Sequence, residues 1–250
     1  MLLVLGYHRV GKGKLTSSLR MLEEHLAVWK NYPVVLPGEP VEKGRLSICL
    51  TFDDAYCDIY YLIFPLLQRL GLRAVVGVPT AYIVEETTLP IERRLSISYN
   101  IAMQNETFRS DVPFCTWQEL QDMVNSGTIH VASHSHQHPL MTFPFVDLHK
   151  ELVHSKELLE QRLLQSVSSF IYPFGRWNMH VQREVMKHYL YAFRGGARLN
   201  ICSWNHTHRP LGRVFADGRS ITKILSLKNR CLYACKGIQE YCVSAITSLY

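Results

Sequence analysis

The chain has 250 residues, 47% of them hydrophobic and 19% charged, which is a globular composition sized for one large α/β domain or two small ones and excludes a disordered chain. The formal net charge of +6 is mild and the basic residues are scattered, so no nucleic-acid partner is expected. No apolar run is long enough to span a bilayer, and no transmembrane segment is expected.

The opening stretch, MLLVLGYHRV, is too short for the apolar region of a signal peptide and reads as a first strand, Leu2 to Leu5. The seven cysteines form no paired framework. Cys49 reads as a small hydrophobe in a strand, and Cys231, Cys235 and Cys242 lack the close C-x-x-C pair of common zinc knuckles. The expected location is therefore a reducing compartment, the cytoplasm.

Residues 17 to 30 space Leu19, Leu22, Leu26 and Trp29 at helical intervals. Ile48 to Phe52 reads as a buried strand. Pro65 suits the first turn of a helix that ends at Gly71. Ala74 to Val78 is the next strand. Thr116-x-x-Glu119 is a capping box opening a helix that Gly127 closes. Ile129 to Ala132 is a strand, residues 145 to 163 an amphipathic helix, and Ser169 to Tyr172 a strand. Asn178 caps a helix running to His188, and Leu190 to Phe193 is a strand again. Strands alternating with helices predict parallel βα units, as a barrel or a doubly wound sheet. Beyond about Asn200, polar, His-rich and Arg-rich pieces precede the cysteine-containing end, and no element is assigned there.

Three strands end in chemically loaded segments: Asp53-Asp54 after Phe52, the run SHSHQHP over 133 to 139, and YPFGRWN over 172 to 178. Parallel α/β folds gather the carboxyl ends of their strands on one face, so the three segments are expected to converge. Adjacent carboxylates repel unless water, hydrogen bonds or a cation compensates them. His134 and His138, spaced i, i+4, are expected to share one side of a helical turn. With one carboxylate they make a two-His, one-carboxylate set that leaves positions open for water and substrate. One aspartate would then bind a divalent ion and the other stay free as a base.

These segments resemble the motifs of the polysaccharide deacetylase family, carbohydrate esterase family four. Thr51-Phe52-Asp53-Asp54-Ala55 is similar to its T-F-D-D-G motif, with Ala55 replacing glycine. His134-Ser135-His136-Gln137-His138-Pro139 is similar to H-S/T-x-x-H-P. Tyr172-Pro173-Phe174-Gly175 resembles Y-P-Y-G, and Tyr7-His8-Arg9-Val10 a phrase near the start of members. The resemblance covers roughly residues 1 to 200, and the chain is expected to be one catalytic domain over 1 to 250.

The resemblance implies a distorted (β/α) barrel with fewer than eight complete units and metal-dependent removal of acetyl groups from N-acetylated sugars. It implies Asp53 as general base and Asp54, His134 and His138 as ligands of one divalent ion. Zinc is expected, and the same set accepts cobalt, nickel, manganese or iron. The third motif makes Tyr172, Pro173, Phe174, Gly175, Arg176 and Trp177 the candidates for substrate binding. His136 falls at a variable position and is left out of the ligand set. Many members orient the base with an arginine two residues before the proline of the third motif. Ile171 stands there, leaving Arg176 as a substitute by proximity. The family's late motifs, which shape the acetyl pocket and supply a general acid, are not evident. His206 and His208 are candidates by residue type alone, read first as a solvated loop, and Trp117 is read as helix packing. The competing expectations are a non-catalytic carbohydrate-binding protein on the same fold and an amidase acting on a non-sugar amide.

Overall fold

In the computed structural model, seven strands close into a parallel barrel. The structure describes residues 1–104, 106–201, 204, 209–226, 229 and 233–238. The strands are β1 (Leu2–Tyr7), β2 (Arg9–Val10), β3 (Thr16–Ser17), β4 (Ser47–Phe52), β5 (Ala74–Val78), β6 (Ile129–Ser133), β7 (Ser169–Ile171), β8 (Tyr191–Gly195) and β9 (Leu211–Phe215). The barrel order is β1-β4-β5-β6-β7-β8-β9, and the ring closes where β9 pairs with β1, Val4 opposite Arg213 and Gly6 opposite Phe215. β2 and β3 form a small separate ribbon beside the barrel. Seven strands agree with the expectation of fewer than eight complete units.

Period-two alternation sorts each strand between two cores. Leu2, Val4, Cys49, Val75, Ala132, Ile171, Phe193 and Leu211 fill the barrel interior. Leu3, Leu5, Ile48, Leu50, Val76, Val131 and Phe170 face the surrounding helices. Both faces are buried, which is why these strands read as near-continuous apolar runs. Continuing the interior parity, Thr51 follows Cys49 and Arg213 follows Leu211. An arginine therefore points into the barrel.

The helices Leu19–Trp29, Trp117–Asn125 and Met179–His188 begin at Ser18, Thr116 and Asn178, each of whose side chains accepts a backbone N–H, and Thr116 with Glu119 forms the predicted capping box. Two expectations need correction, and one stretch left without an element gains one. The helix placed over 145 to 163 starts at His149, with a wide π-helical turn over His149–His154 before Ser155–Leu163. The strand placed from Leu190 runs Tyr191–Gly195 and leaves Leu190 exposed. The unassigned stretch after Asn200 contributes β9, the strand that closes the barrel. Among the described residues no helix is long and apolar enough to cross a membrane. Cys49, Cys57 and Cys115 are buried thiols and Cys235 is an exposed one; Cys231 and Cys242 lie outside the described residues.

Candidate metal centre and active site

The carboxyl ends of β1, β4, β6 and β9, with the turn after β7, surround one cavity of about 230 Å³. Asp53 and Asp54 leave β4 at its floor, 2% and 1% exposed. Asp54 and Ala55 adopt left-handed backbone, φ 71° and 51°, a conformation Asp tolerates better than most residues and one that lets the two carboxylates diverge.

Asp54 faces the two histidines. Its Oδ1 lies 3.4 Å from Nε2 of both His134 and His138, and these two nitrogens are 3.1 Å apart. His134 Nδ1 donates to the carbonyl of Ile171 at 2.8 Å. That bond fixes the tautomer and leaves Nε2 with a free lone pair, the arrangement a metal-bound histidine requires. Burial and the neighbouring His134 push the pKa of His138 down to about 4, which keeps it neutral. Burial raises the pKa of Asp54, but the proximity of His134 and then of His138 outweighs it, and the carboxyl stays below its usual range. Both oxygens of Asp54 are nevertheless buried without a hydrogen-bond partner among the described residues. Such orphaned acceptors are costly unless something compensates them. A carboxylate and imidazoles converging within 4.8 Å suit a divalent ion.

The two histidines do not sit on a helical turn, as their spacing predicted. Ser135 and His138 have φ 66° and 54°, and the segment is a looped hairpin of bends. Its backbone is held from behind. The buried Glu151 accepts from the N–H of His136 and of Gln137, both at 2.8 Å, and Ser155 donates to the carbonyl of Ser135 at 3.0 Å. His136 turns away from Asp54 to Thr80, 2.9 Å from its hydroxyl.

Asp53 faces the opposite side. Its two oxygens accept from Nη1 and Nη2 of Arg213 at 2.6 and 2.8 Å, a bidentate pair, and Nη1 also donates to Thr51 Oγ1 at 3.0 Å. Burial raises the pKa of Asp53, but the Arg213 guanidinium outweighs it and holds the carboxyl well below the usual range. This bidentate contact to Asp53 comes from Arg213 on β9, and Ile171 makes none. Arg176, proposed for it by proximity, does not bond Asp53. His8, at the end of β1, lies with Nε2 3.7 Å from Asp53, while its Nδ1 meets Asp217 Oδ2 at 2.7 Å. Burial lowers the pKa of His8, but the Asp217 hydrogen bond and the charge of Asp53 outweigh it, so the protonated form is favoured.

Of the third-motif residues, Phe174 and Gly175 line the cavity, and the ring of Phe174 meets His138 edge to face at 4.8 Å. A Cβ on Gly175, φ 62°, would stand 2.6 Å from the backbone nitrogen of Gly195, so only glycine fits. Tyr172 and Pro173 are buried instead, the Tyr172 hydroxyl donating to Gln182 at 2.8 Å. Arg176 and Trp177 are not part of the cavity lining, and Trp177 packs against the helix-side core. Trp117 packs there too, as read. His206 and His208 lie outside the described residues.

The sequence reading missed His8, Tyr99, Arg213 and Asp217. His8 had a usable signal, since it ends a strand as Asp53 does. Arg213 had a weaker one: LGRVF is a strand-like run between Pro210 and the Asp217-Gly218 turn.

The polysaccharide deacetylase family profile matches residues 41–193. No curated protein matches the chain. Among solved structures, the chain is similar to a Bacillus anthracis protein described as a polysaccharide deacetylase (TM-score 0.67, 21% identity, covering 86% of this chain and 64% of that one). It is also similar to a polysaccharide deacetylase from Bacillus cereus (0.72, 20%, 90% and 68%) and to a de-N-acetylase from Aggregatibacter actinomycetemcomitans (0.66, 18%, 86% and 95%). The chain thus spans slightly less than two thirds of the length of the Bacillus anthracis structure, and identities this low establish the shared barrel fold.

Proposed function

The chain belongs to the polysaccharide deacetylase family, and from that premise we propose that it is a metal-dependent hydrolase removing N-acetyl groups from an amino-sugar polymer or glycoconjugate. The observation that carries the proposal is one cavity with two unlike halves. On one side Asp54, whose oxygens have no hydrogen-bond partner among the described residues, converges with His134 and His138; on the other Asp53 is held ionised by Arg213 beside His8.

A divalent ion held by Asp54, His134 and His138, zinc in our reading, would supply Lewis acidity, polarising an acetyl carbonyl and lowering the pKa of water. Asp53 takes the proton from the attacking water. Arg213 fixes its orientation with both guanidinium nitrogens, so the carboxylate is presented in one geometry. His8, oriented through Nδ1 by Asp217, gives the proton from Nε2 to the leaving amine. Water is consumed, the amide C–N bond breaks, and acetate and a free amino sugar leave. Phe174 and Tyr99 form apolar walls suited to the sugar ring and the acetyl methyl. The non-catalytic alternative drew on the unidentified late motifs; His8 is a candidate for the general acid they would supply, and Arg213 for the base-orienting arginine.

The test is acetate release from a panel of N-acetylated sugar oligomers with zinc or cobalt added, alongside small non-sugar acetamides. Metal-dependent release from the sugars alone is expected. Release from the non-sugar amides alone, or from nothing with the metal site filled, would overturn the proposal.

A further inference from the structure

A second cavity, of about 510 Å³, lies against the catalytic one, between the loop 11–15 and residues 95–100. The two share a wall. Tyr99 lines both, Arg9 directly follows His8, and Lys14 directly precedes Leu15, which lines the catalytic cavity. A polymer occupying the catalytic cavity would have this second space across Tyr99.

Its chemistry differs from its neighbour's. Arg9, Lys12 and Lys14 line it, and among the described residues no acidic side chain does. Lys12 and Lys14 are exposed and have no ion-pair partner among the described residues. They alternate with glycines in Gly11-Lys12-Gly13-Lys14, where Gly13 has φ 120°, a backbone only glycine takes easily. The Thr16 hydroxyl donates to the Gly13 carbonyl at 2.9 Å and closes the loop. Arg9, 8% exposed, ties this loop to the opposite wall: Nη1 donates to Ile97 O at 2.7 Å and Nη2 to Leu95 O at 3.2 Å. Its Nε–H is buried without a partner among the described residues. The cavity is therefore braced, concave and positively charged, the combination that concentrates an anion. A neutral glycan gains little from two unneutralised ammonium groups; a phosphate or carboxylate gains charge-assisted hydrogen bonds.

We propose that this cavity binds an anionic group, phosphate or carboxylate, on the polymer whose acetamide enters the catalytic cavity, making the substrate class an acidic or phosphorylated amino-sugar glycan. What fills the neighbouring cavity rests on the deacetylase reading; the anion site does not.

The test uses three N-acetylglucosamine tetramers: one neutral, one with a single phosphate monoester, one with a glucuronate replacing one sugar. Binding is measured by calorimetry on zinc-supplemented protein, without relying on turnover. At low salt an anionic tetramer is expected to bind about tenfold or more tightly than the neutral one, and the preference should fade with added salt. The phosphate and uronate arms identify which anion fits. Lys12→Ala/Lys14→Ala should lose the preference, and Lys12→Arg/Lys14→Arg should keep it. Equal affinity for all three tetramers, or an equal loss for neutral and anionic tetramers in the alanine variant, would overturn the proposal, and no binding of any would overturn it together with the deacetylase reading. Failure to release acetate while the preference persists would count against the deacetylase reading alone.

Discussion

Asp53 and Asp54 are neighbours in sequence with opposite partners in space. One is clamped by a guanidinium and the other faces two imidazoles. Their replacements should therefore fail differently. Asp54→Asn is expected to lose bound metal, because a neutral amide is a poor ligand for a divalent ion, and excess metal should partly restore turnover. Asp53→Asn is expected to keep its metal and lose about 10²–10⁴-fold in rate. Metal content and turnover, measured side by side, check this; full activity of Asp53→Asn, or equal metal loss in both, contradicts the division of roles. His8 gives a pH prediction. Asp217 and Asp53 favour its protonated form, so an acid at His8 stays competent above the usual histidine range and is lost as pH rises through the raised pKa. Asp217→Asn removes the leading favourable contribution and should move the alkaline limb of the rate profile to lower pH. An unmoved limb would argue against His8 as the acid.

Among the elements, β9 shows how a barrel strand both closes the fold and builds the site. Arg213 is fully buried, and its bidentate partner Asp53 is 2% exposed. Removing one member of such a pair strands the other charge, which costs about 3–5 kcal/mol. Arg213→Met should destabilise by that order, and Asp53→Asn/Arg213→Met should recover much of the loss, a coupling read from chemical denaturation of all four proteins. Additive losses would mean that the two groups do not act as a pair. The turn after β7 makes a second prediction at this scale. Gly175→Ala combines left-handed backbone with a Cβ 2.6 Å from Gly195 N. It should destabilise by more than about 1 kcal/mol and displace Phe174, lowering turnover more than metal content. A variant of wild-type stability and activity would show that β8 yields to the methyl.

For the molecule as a whole, the proposed metal binding should be linked to stability, because the three candidate ligands come from the end of β4 and from the loop after β6 and are brought together only by folding. At a metal concentration about 100 times Kd the native state should gain roughly 2.7 kcal/mol. At this chain length that raises Tm by roughly 5–10 °C. Chelation should reverse the shift, and His134→Ala/His138→Ala should abolish it. A thermal melt unmoved by zinc, or moved equally in the double variant, would argue against the site.

Local signals carried far in this chain. The strands β1, β4 and β5 were legible because burial on both faces writes an apolar run. The caps at Thr116 and Asn178 were legible because one side chain completes each helix start. Asp53, Asp54, His134 and His138 stood out because strand ends concentrate chemistry in parallel folds. What lay beyond the sequence was every feature made by contacts between distant segments. The partner of Asp53 is 160 residues away, on a strand whose polar surroundings hide it. Arg213 reaches Asp53 only because closing the ring sets β9 beside β1 and gives Arg213 the interior parity of Leu211. The histidine spacing was compatible with a helical turn, and the buried Glu151, binding two backbone N–H groups, holds a loop there instead. Composition and periodicity fix which residues are buried and which ends are polar, because those depend on near neighbours along the chain. Ring closure decides which buried charges meet, because that depends on strands that are neighbours only in space.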